Sequence, residues 1–304
     1  MDEEKILMQM KIQELKKRRN AIILAHNYQI EEVQGVADII GDSFELSRAA
    51  AQSQADVIVF CGVHFMAEGA AILAPDKITL LPDMEAGCPM ADMVTARTLR
   101  EKKKEHPSVA VVTYINSPAA VKAESDICVT SSNAVEVVKS LPDRKLLFVP
   151  DMNLGDFVAR HTDKRVIPWE GYCPTHHHVS AADVATARAE NPDAVVVVHP
   201  ECRPEVVEAA DYAFSTGGIL KFARETGFQK IIVGTEKGLI YRLQKENPGK
   251  EFYLLSEKLI CPTMKLINLQ KILRSLETLE PRVTVPEDIR DRARLALERM
   301  LVVV

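Results

Sequence analysis

The chain has 304 residues, of which 47% are apolar and 27% charged, and its formal net charge is −5. This length can bury one large core or several smaller ones, and the net negative charge gives no reason to expect a nucleic-acid partner. No apolar run approaches the roughly 20 residues of a membrane span, and residues 1–20 are too charged for a signal peptide. We therefore expect a cytoplasmic protein without a membrane partner, whose six cysteines are thiols or metal ligands rather than disulfides.

After a first amphipathic helix, short apolar segments alternate with helical stretches. The first four predicted strands are 21–25, 38–40, 57–61 and 78–81. Fully apolar strands that alternate with helices indicate a parallel sheet covered by helices on both faces, which is a three-layer αβα unit of the α/β class.

The same pattern then occurs twice more along the chain. The next predicted strands are 109–113, 126–129, 146–149 and 166–167, followed by 194–198, 211–214, 231–234 and 252–255. The sequence therefore predicts three homologous αβα units, at residues 1–90, 91–175 and 176–285. A last helix, within residues 286–304, is expected to pack back on the first unit.

The repeat can be checked through the spacing of equivalent positions. The first strands end at His26, Tyr114 and His199, which are 88 and 85 residues apart (114 − 26 and 199 − 114). The same two differences separate Tyr28, Asn116 and Glu201; Asp38, Asp126 and Asp211; and Ser43, Ser131 and Thr216. Chance would rarely keep four classes of position in phase, so the spacing supports a triplication.

The equivalent polar residues follow the carboxyl ends of predicted strands, where open parallel sheets bind ligands. If three such edges face a common centre, they enclose one polar site. His26 and His199 are candidate acid–base groups or donors to a carboxylate, Glu201 a candidate general base and Tyr28 a candidate acid–base hydroxyl. A lone histidine is more often structural, but these two are matched by the repeat.

Three of the six cysteines, Cys88, Cys173 and Cys261, follow the fourth strand of their unit and predict a metal site. Any one of them alone would more often be a buried structural thiol. Zinc takes four protein ligands, or three and a water, and an iron–sulfur cluster usually takes four cysteines, so three would leave one iron open. The spacing does not choose between these metals.

The other cysteines lack equivalents in the repeat. Cys61 and Cys128 lie within predicted strands and are expected to be core thiols, while Cys202 has no predicted role. Of the three consecutive histidines after Cys173, only His176 is expected to face the site, because neighbouring side chains point in different directions.

The hydroxyl residues Ser43, Ser131 and Thr216 stand at predicted helix N-termini, with Ser43 as the expected N-cap. Free N–H groups and the helix dipole bind phosphate or carboxylate at such positions, although capping alone is the commoner role of one hydroxyl. Three such hydroxyl residues at equivalent positions of the repeat favour a ligand with several negative charges. The sequence contains neither a Walker-type loop nor a GxGxxG motif, so a nucleotide is not indicated.

Taken together, several of these segments resemble one known family. AHNYQ (25–29), GDS (41–43), TYIN (113–116), HPEC (199–202), STGG (215–218) and CPTMK (261–265) are similar to segments of the quinolinate synthase family. The resemblance extends over nearly the whole chain. It implies three α/β domains around a pseudo-threefold axis and an enzyme of NAD biosynthesis. The implied reaction condenses iminoaspartate with dihydroxyacetone phosphate to quinolinate, with loss of phosphate and two waters.

The resemblance also implies roles for individual residues. Cys88, Cys173 and Cys261 would hold a 4Fe–4S cluster with one open iron site. The implied active-site residues are His26, Tyr28, Tyr114, Asn116, His176, His199 and Glu201, and the implied anion-binding residues are Ser43, Ser131 and Thr216. Proton transfer would fall to Tyr28 and Glu201, with His199 also catalytic. An L-aspartate oxidase or aspartate dehydrogenase is the expected functional partner, and a regulatory disulfide is not expected because Cys261 lacks a CxxCxxC context.

Two other classes of function stay open at this point. One is a zinc-dependent hydrolase of a phosphorylated acid that uses the same three cysteines. The other is a non-catalytic anion-binding protein with a structural metal. Iron and sulfide content would separate the first from an iron–sulfur enzyme, and product formation would separate the second from either.

Overall fold

Three parallel sheets of four strands each form the framework of the molecule. The computed structural model describes residues 3–303. Its strands are β1 (Ala21–His26), β2 (Ile39–Gly41), β3 (Val57–Cys61), β4 (Ile78–Leu80), β5 (Ala110–Tyr114), β6 (Ile127–Val129), β7 (Lys145–Val149), β8 (Arg165–Pro168), β9 (Val195–Val198), β10 (Tyr212–Ala213), β11 (Lys230–Gly234) and β12 (Glu251–Leu254). The strand orders are β2-β1-β3-β4, β6-β5-β7-β8 and β10-β9-β11-β12, the same order in each sheet.

Helices connect these strands. They are α1 (Glu3–Arg18), α2 (Glu31–Gln34), α3 (Ser43–Gln52), α4 (His64–Leu73), α5 (Ala96–Glu105), α6 (Ala119–Lys122), α7 (Ala134–Ser140), α8 (Met152–Arg160), α9 (Pro174–His177), α10 (Ala181–Glu190), α11 (Pro204–Ala209), α12 (Thr216–Glu225), α13 (Gly238–Glu246), α14 (Leu269–Thr278) and α15 (Glu287–Val302). Two 3₁₀ turns, Ala91–Met93 and Pro262–Lys265, follow Cys88 and Cys261. Among the described residues, no helix combines the length and the apolar character that crossing a membrane requires.

The run of four valines in β9 shows why each unit has three layers. Successive side chains of a strand point to opposite faces. Val195 and Val197 pack with residues of α12 and α13, whereas Val196 and Val198 pack with residues of α10 and α11. Both faces of the strand are therefore buried, and a strand buried on both faces reads as a continuous apolar run. The predicted fold of three αβα units with parallel sheets is confirmed.

The three aspartates that the repeat aligns make one and the same hydrogen bond. Each stands immediately before the second strand of its sheet, and its Oδ2 accepts the backbone N–H of a residue in the first strand. The pairs are Asp38 with Ile23 (2.7 Å), Asp126 with Val111 (2.7 Å) and Asp211 with Val196 (2.8 Å). These aspartates therefore satisfy backbone donors and hold the sheets together at the end away from the site.

The predicted cap at Ser43 is wrong, and the neighbouring residue explains why. Asp42 is the N-cap of α3, and its Oδ1 accepts the N–H groups of Phe44 and Glu45, both at 2.9 Å. Glu45 returns a bond to the Asp42 N–H, which completes a capping box that the Ser43 position could not form. Ser43 is instead the first residue of the helix.

The other two hydroxyl residues also differ from helix caps. Ser215 caps α12 by accepting the Gly218 N–H at 3.1 Å, so that Thr216 is the first helical residue. In the second unit α7 begins only at Ala134, and Ser131 lies in the turn that precedes it.

The C-terminal segments join the units. Helix α14, within the range predicted for the third unit, packs against α1 of the first. Helix α15 contacts α4 of the first unit, on which the sequence predicted it to pack, and also α6 and β6 of the second. Arg292 pairs with Glu124 at 3.0 Å, and Arg299 donates to the Asp126 carbonyl at 2.6 Å. The exact division at residues 90, 175 and 285 stays a prediction.

Candidate active site

One cavity is lined by residues from all three units. Every residue that the sequence nominated for a site lies on its wall: His26, Tyr28, Ser43, Cys88, Tyr114, Asn116, Ser131, Cys173, His176, His199, Glu201, Thr216 and Cys261. The strands β1, β5 and β9 each end at or next to a member of this set, so the carboxyl ends of the three sheets meet at the cavity.

The three cysteines of the cavity are free thiols and only partly buried, whereas Cys61, Cys128 and Cys202 are buried away from it. Burial raises the pKa of Cys88 to about 12, although the backbone N–H of Ala91 opposes the rise. Burial, followed by the charge of Glu201, raises the pKa of Cys173 as well. Thiols in such a setting give up their protons when a cation binds them.

The donor set around these thiols fits a metal or cluster. The sulfur of Cys173 lies 3.2 Å from His176 Nδ1, and that of Cys261 lies 3.3 Å from the Thr263 hydroxyl. Ligand atoms of Cys173, His176 and Glu201 lie within 4.8 Å of one another, which is close enough to hold one metal ion. Soft thiolates select zinc, copper(I) or iron–sulfur clusters over magnesium or calcium. The residues present therefore suit a thiolate-bound metal group.

A chain of hydrogen bonds runs from Tyr28 to Glu201. Tyr28 Oη lies 2.6 Å from Thr235 Oγ1, which lies 2.9 Å from His176 Nε2, and His176 Nδ1 lies 2.8 Å from Glu201 Oε2. A carboxylate only accepts, so His176 Nδ1 donates to it. In the neutral imidazole Nε2 then accepts from Thr235, and Thr235 in turn accepts from Tyr28.

Glu201 is buried and only partly satisfied. His199 Nδ1 accepts the Glu201 backbone N–H at 3.2 Å, so the imidazole proton is on Nε2 and donates to Ser131 Oγ at 3.1 Å. Burial raises the pKa of Glu201, but the neighbouring His199 and His176 outweigh burial and hold that pKa below its ordinary value. Glu201 Oε1 and Asn116 Oδ1 are buried without a hydrogen-bond partner among the described residues. Two such acceptors on a cavity wall suit a ligand that brings its own donors.

The two strand-end histidines share a conformation. His26 Nδ1 accepts the N–H of Tyr28 at 3.2 Å, as His199 does with Glu201. Burial lowers the pKa of His26 and of His199 to about 3, against the opposing charge of Glu201. Both rings are therefore neutral near pH 7 and present an Nε2–H group to the cavity.

Residues that the sequence argument did not single out also shape the site. Asn27 is fully buried and donates to Thr216 Oγ1 at 3.0 Å, while Arg242 Nη1 donates to Asn27 Oδ1 at 2.7 Å. Thr235 joins Tyr28 to His176, as described above. In the repeat, Asn27 aligns with isoleucine and proline, and Thr235 aligns with glycine and proline, so a search for shared polar positions misses both.

The three consecutive histidines, 176–178, lie in different surroundings, as the sequence predicted. His176 is buried on the cavity wall, whereas His177 lies 3.1 Å from Asn153 Nδ2 and packs its ring against Tyr172. His178 is exposed and follows the end of α9. Neither His177 nor His178 lines the cavity.

The arrangement combines thiols for a metal group, hydroxyls at the first positions of two helices, a buried carboxylate and a phenol. Such a set can bind an acidic small molecule, exclude water from it and move protons at its carbon atoms. Chemistry of this kind fits dehydration and condensation better than nucleotide binding.

Comparison with known proteins gives one family. The family described as "Quinolinate synthetase A protein" matches residues 10–302. A quinolinate synthase of Geobacter metallireducens is 58% identical over 292 residues, which cover 96% of each chain. Those of Pelobacter propionicus and Methanosarcina barkeri are 58% and 54% identical over 293 residues, again 96% of each chain. The chain therefore belongs to the quinolinate synthase family.

Proposed function

We propose that this chain is a quinolinate synthase of NAD biosynthesis that condenses iminoaspartate with dihydroxyacetone phosphate. The observation that carries the proposal is the single cavity in which all the nominated residues from three homologous units meet, in a chain that belongs to this family. The reaction releases phosphate and two waters. It therefore needs anion binding, proton transfer and a way to stabilise departing hydroxide.

We further propose that Cys88, Cys173 and Cys261 hold a 4Fe–4S cluster with one iron free of protein ligands. The support is the donor set: these three thiols share the cavity, and the other three cysteines are buried elsewhere. When bound, such a cluster supplies a Lewis acid that takes up the charge of departing hydroxide. Four protein thiolates would leave no iron free for this purpose.

The protein's own groups bind and orient the substrates. Ser43 and Thr216, at the first positions of α3 and α12, offer hydroxyls and helix N-termini to carboxylate or phosphate, and Ser131 adds a third hydroxyl. The neutral imidazoles of His26 and His199 donate from Nε2. Asn116 Oδ1, which has no partner in the part of the chain that the structure describes, accepts from a substrate N–H or O–H group.

Proton transfer is assigned to Glu201 and Tyr28. Among the described residues Glu201 Oε1 has no hydrogen-bond partner of ordinary geometry, whereas Oε2 accepts from His176, so we assign Oε1 as the atom that receives a substrate proton. The Tyr28 hydroxyl is hydrogen-bonded to Thr235 and donates a proton to substrate after reorientation. Tyr114 lies on the same wall, next to Glu201, whose charge adds to the rise that burial causes in the pKa of the Tyr114 phenol.

The substrate iminoaspartate points to a partner reaction. An imine hydrolyses in water, so we propose that an enzyme that oxidises aspartate, an L-aspartate oxidase or an aspartate dehydrogenase, supplies it in the same compartment, the cytoplasm. The zinc-dependent hydrolase and the non-catalytic anion-binding protein find no support in the family match, whose named relatives are synthases.

The test is anaerobic purification, followed by iron and sulfide analysis and an assay for quinolinate. We expect four irons and four sulfides for each chain that carries the proposed cluster, together with product from iminoaspartate and dihydroxyacetone phosphate. Zinc without sulfide in protein that still forms product would leave a zinc enzyme. Absence of product from cluster-loaded protein would overturn the proposed reaction.

A further inference from the structure

Glu236 is a fully buried carboxylate that the proposed chemistry does not use. It lies two residues after β11, and its side chain is entirely shielded from solvent. Its Oε1 accepts the backbone N–H of Cys261 at 3.1 Å, and its Oε2 accepts that of Gly238 at 2.7 Å. Lys265 Nζ lies 2.8 Å from Oε1 and 2.9 Å from Oε2. Of these partners, Cys261 lines the cavity.

These contacts tie three separate segments to one side chain. Gly238 starts α13, Cys261 and Lys265 belong to the loop after β12, and Lys265 Nζ also donates to the carbonyl of Tyr28. At Gly238, a Cβ would stand 2.5 Å from that same carbonyl, so only glycine permits the close approach. The backbone of one nominated cysteine is therefore fixed relative to a nominated catalytic tyrosine.

The repeat places a second acid at the same position of the second unit. Val63, Asp151 and Glu236 are 88 and 85 residues apart (151 − 63 and 236 − 151). Asp151 is fully buried, and the N–H of Cys173 opposes the rise that burial causes in its pKa. By ordinary geometry, however, Asp151 Oδ2 has no hydrogen-bond partner within residues 3–303. The Cys261 bond to Glu236 is the better defined of the two, and the first unit has only Val63 there.

We propose that Glu236 is a positioning residue, which holds the Cys261 loop in the geometry that a metal ligand needs. The expected effect on iron binding rests on the proposed cluster, whereas the fixing of the loop rests on the contacts of Glu236 alone. A ligand loop that is ordered before the metal binds loses less conformational freedom on binding. Loss of a hydrogen bond that orients a metal-binding residue typically lowers metal affinity by about 10- to 100-fold.

Glu236→Gln is the informative change. An amide places an NH₂ group against the N–H of Gly238 or that of Cys261, so one of the two hydrogen bonds is lost. The Lys265 ammonium also loses the negative charge that it pairs with. The matched control is Glu257→Gln, because Glu257 is an exposed glutamate on the same loop. Both variants and the parent protein are loaded with iron and sulfide anaerobically. Iron loss to a chelator is then followed in each.

We expect at least 10-fold faster iron loss from Glu236→Gln, and a rate equal to the parent's from Glu257→Gln. In protein without iron, hydrogen exchange of the Cys261 amide should also accelerate at least 10-fold in Glu236→Gln. Parental iron retention together with parental amide exchange in Glu236→Gln would overturn the inference.

Two further arms keep the result decisive. If Glu236→Gln does not fold, Glu236→Asp retains the charge but is one methylene too short to reach both amides, and it should show faster exchange at Cys261; parental exchange there would overturn the inference. If the parent protein binds no iron and sulfide, the proposed cluster fails, and the Cys261 exchange rate alone then decides whether Glu236 positions the loop.

Discussion

The residues that the repeat aligns are identical in the three units at one end of the sheets and differ at the other end. Before the second strand, all three units keep an aspartate and all three aspartates make the same bond to the first strand. At the end of the first strand the equivalent residues are His26, Tyr114 and His199, which are of two kinds. The three units thus keep the same residue where it does the same structural work in each, and they differ where their residues line one asymmetric site.

The cysteines are the instructive exception to this contrast. Cys88, Cys173 and Cys261 keep their identity, yet they line the cavity. A bound group with equivalent vertices demands equivalent ligands, and a 4Fe–4S cluster is such a group. The substrates have no such symmetry, so the residues proposed for them are free to differ between units.

The largest effect is expected at these cysteines. Serine at any one of Cys88, Cys173 and Cys261 should abolish turnover and remove the bound iron and sulfide, because two thiolates do not hold the cluster. Serine at Cys61, Cys128 or Cys202 should leave the iron and sulfide in place. Anaerobic metal analysis and the quinolinate assay check both halves. Retained iron, sulfide and activity in a variant of the first group would remove that cysteine from the ligand set.

The next largest effect is expected at the proposed proton-transfer residues. Tyr28→Phe keeps the ring, and Glu201→Gln keeps the shape, so each removes one acid–base group. Loss of such a group typically lowers the rate by about 10²- to 10⁴-fold. Iron and sulfide content should stay at the parental value, since neither residue is a proposed ligand. Steady-state kinetics of the loaded variants measure this, and near-parental kcat would exclude the residue from the chemistry.

The strands and the repeat were predictable because both depend on local patterns. Apolar runs such as residues 57–61 and 231–234 lie on strands buried on both faces, and each predicted strand overlaps the observed one. The fixed spacing then aligned the residues that meet in the cavity. What the repeat could not supply were residues present in a single unit, such as Asn27 and Thr235.

The remaining differences come from competition and from long-range packing. Asp42 and Ser43 are both good N-cap residues, and the capping box in which Glu45 accepts the Asp42 N–H favours Asp42. Helix α14 follows the third sheet in sequence but packs on α1, and α15 also contacts the second unit. An amphipathic helix shows which side it buries but not which partner covers that side.

The two ends of the sheets should also differ in how their aspartates make stability depend on pH. Burial raises the pKa of Asp42, at the cavity end, to about 6, although the Glu45 N–H opposes the rise. The folded state therefore binds that proton more tightly than the unfolded chain does. Stability should therefore fall by up to about 3 kcal/mol as the pH rises from about 3 to 7, with about two-thirds of that loss between pH 4 and 6. Asp42→Asn does not titrate, so its stability relative to the parent should rise through this interval.

Asp211, at the opposite end, supplies the control. Burial raises its pKa, but Arg188 and the Val196 N–H outweigh burial and lower it. Its stabilising contribution is present above the unfolded pKa and is lost only as the pH falls below about 4. Asp211→Asn should thus differ from the parent by a constant amount between pH 4 and 6. Urea unfolding of iron-free protein at several pH values measures both, and parallel curves for Asp42→Asn and the parent would contradict the prediction.

A smaller effect is expected from removing one strand-start aspartate. Asp126→Ala leaves the buried N–H of Val111 without an acceptor, which costs about 1–3 kcal/mol of the free energy of unfolding. The kcat of the folded variant should equal the parent's, because Asp126 does not line the cavity. Asp193→Ala, at an exposed aspartate, is the matched control for denaturant unfolding. Lost turnover in folded Asp126→Ala would show that the two ends are not independent.

The smallest effect separates a capping hydroxyl from a cavity hydroxyl. Ser215 caps α12, so Ser215→Ala should lower the free energy of unfolding by about 1 kcal/mol and leave KM unchanged. Ser43 lines the cavity while Asp42 caps its helix, so Ser43→Ala should change stability by less than about 0.5 kcal/mol. A hydrogen bond to a charged group is worth about 1.5–3 kcal/mol, so the KM for a substrate bound there should rise about 10-fold or more. Denaturant unfolding and steady-state kinetics on both variants decide the matter: a stability loss at Ser43 with unchanged KM would make its hydroxyl part of the helix end rather than of the site.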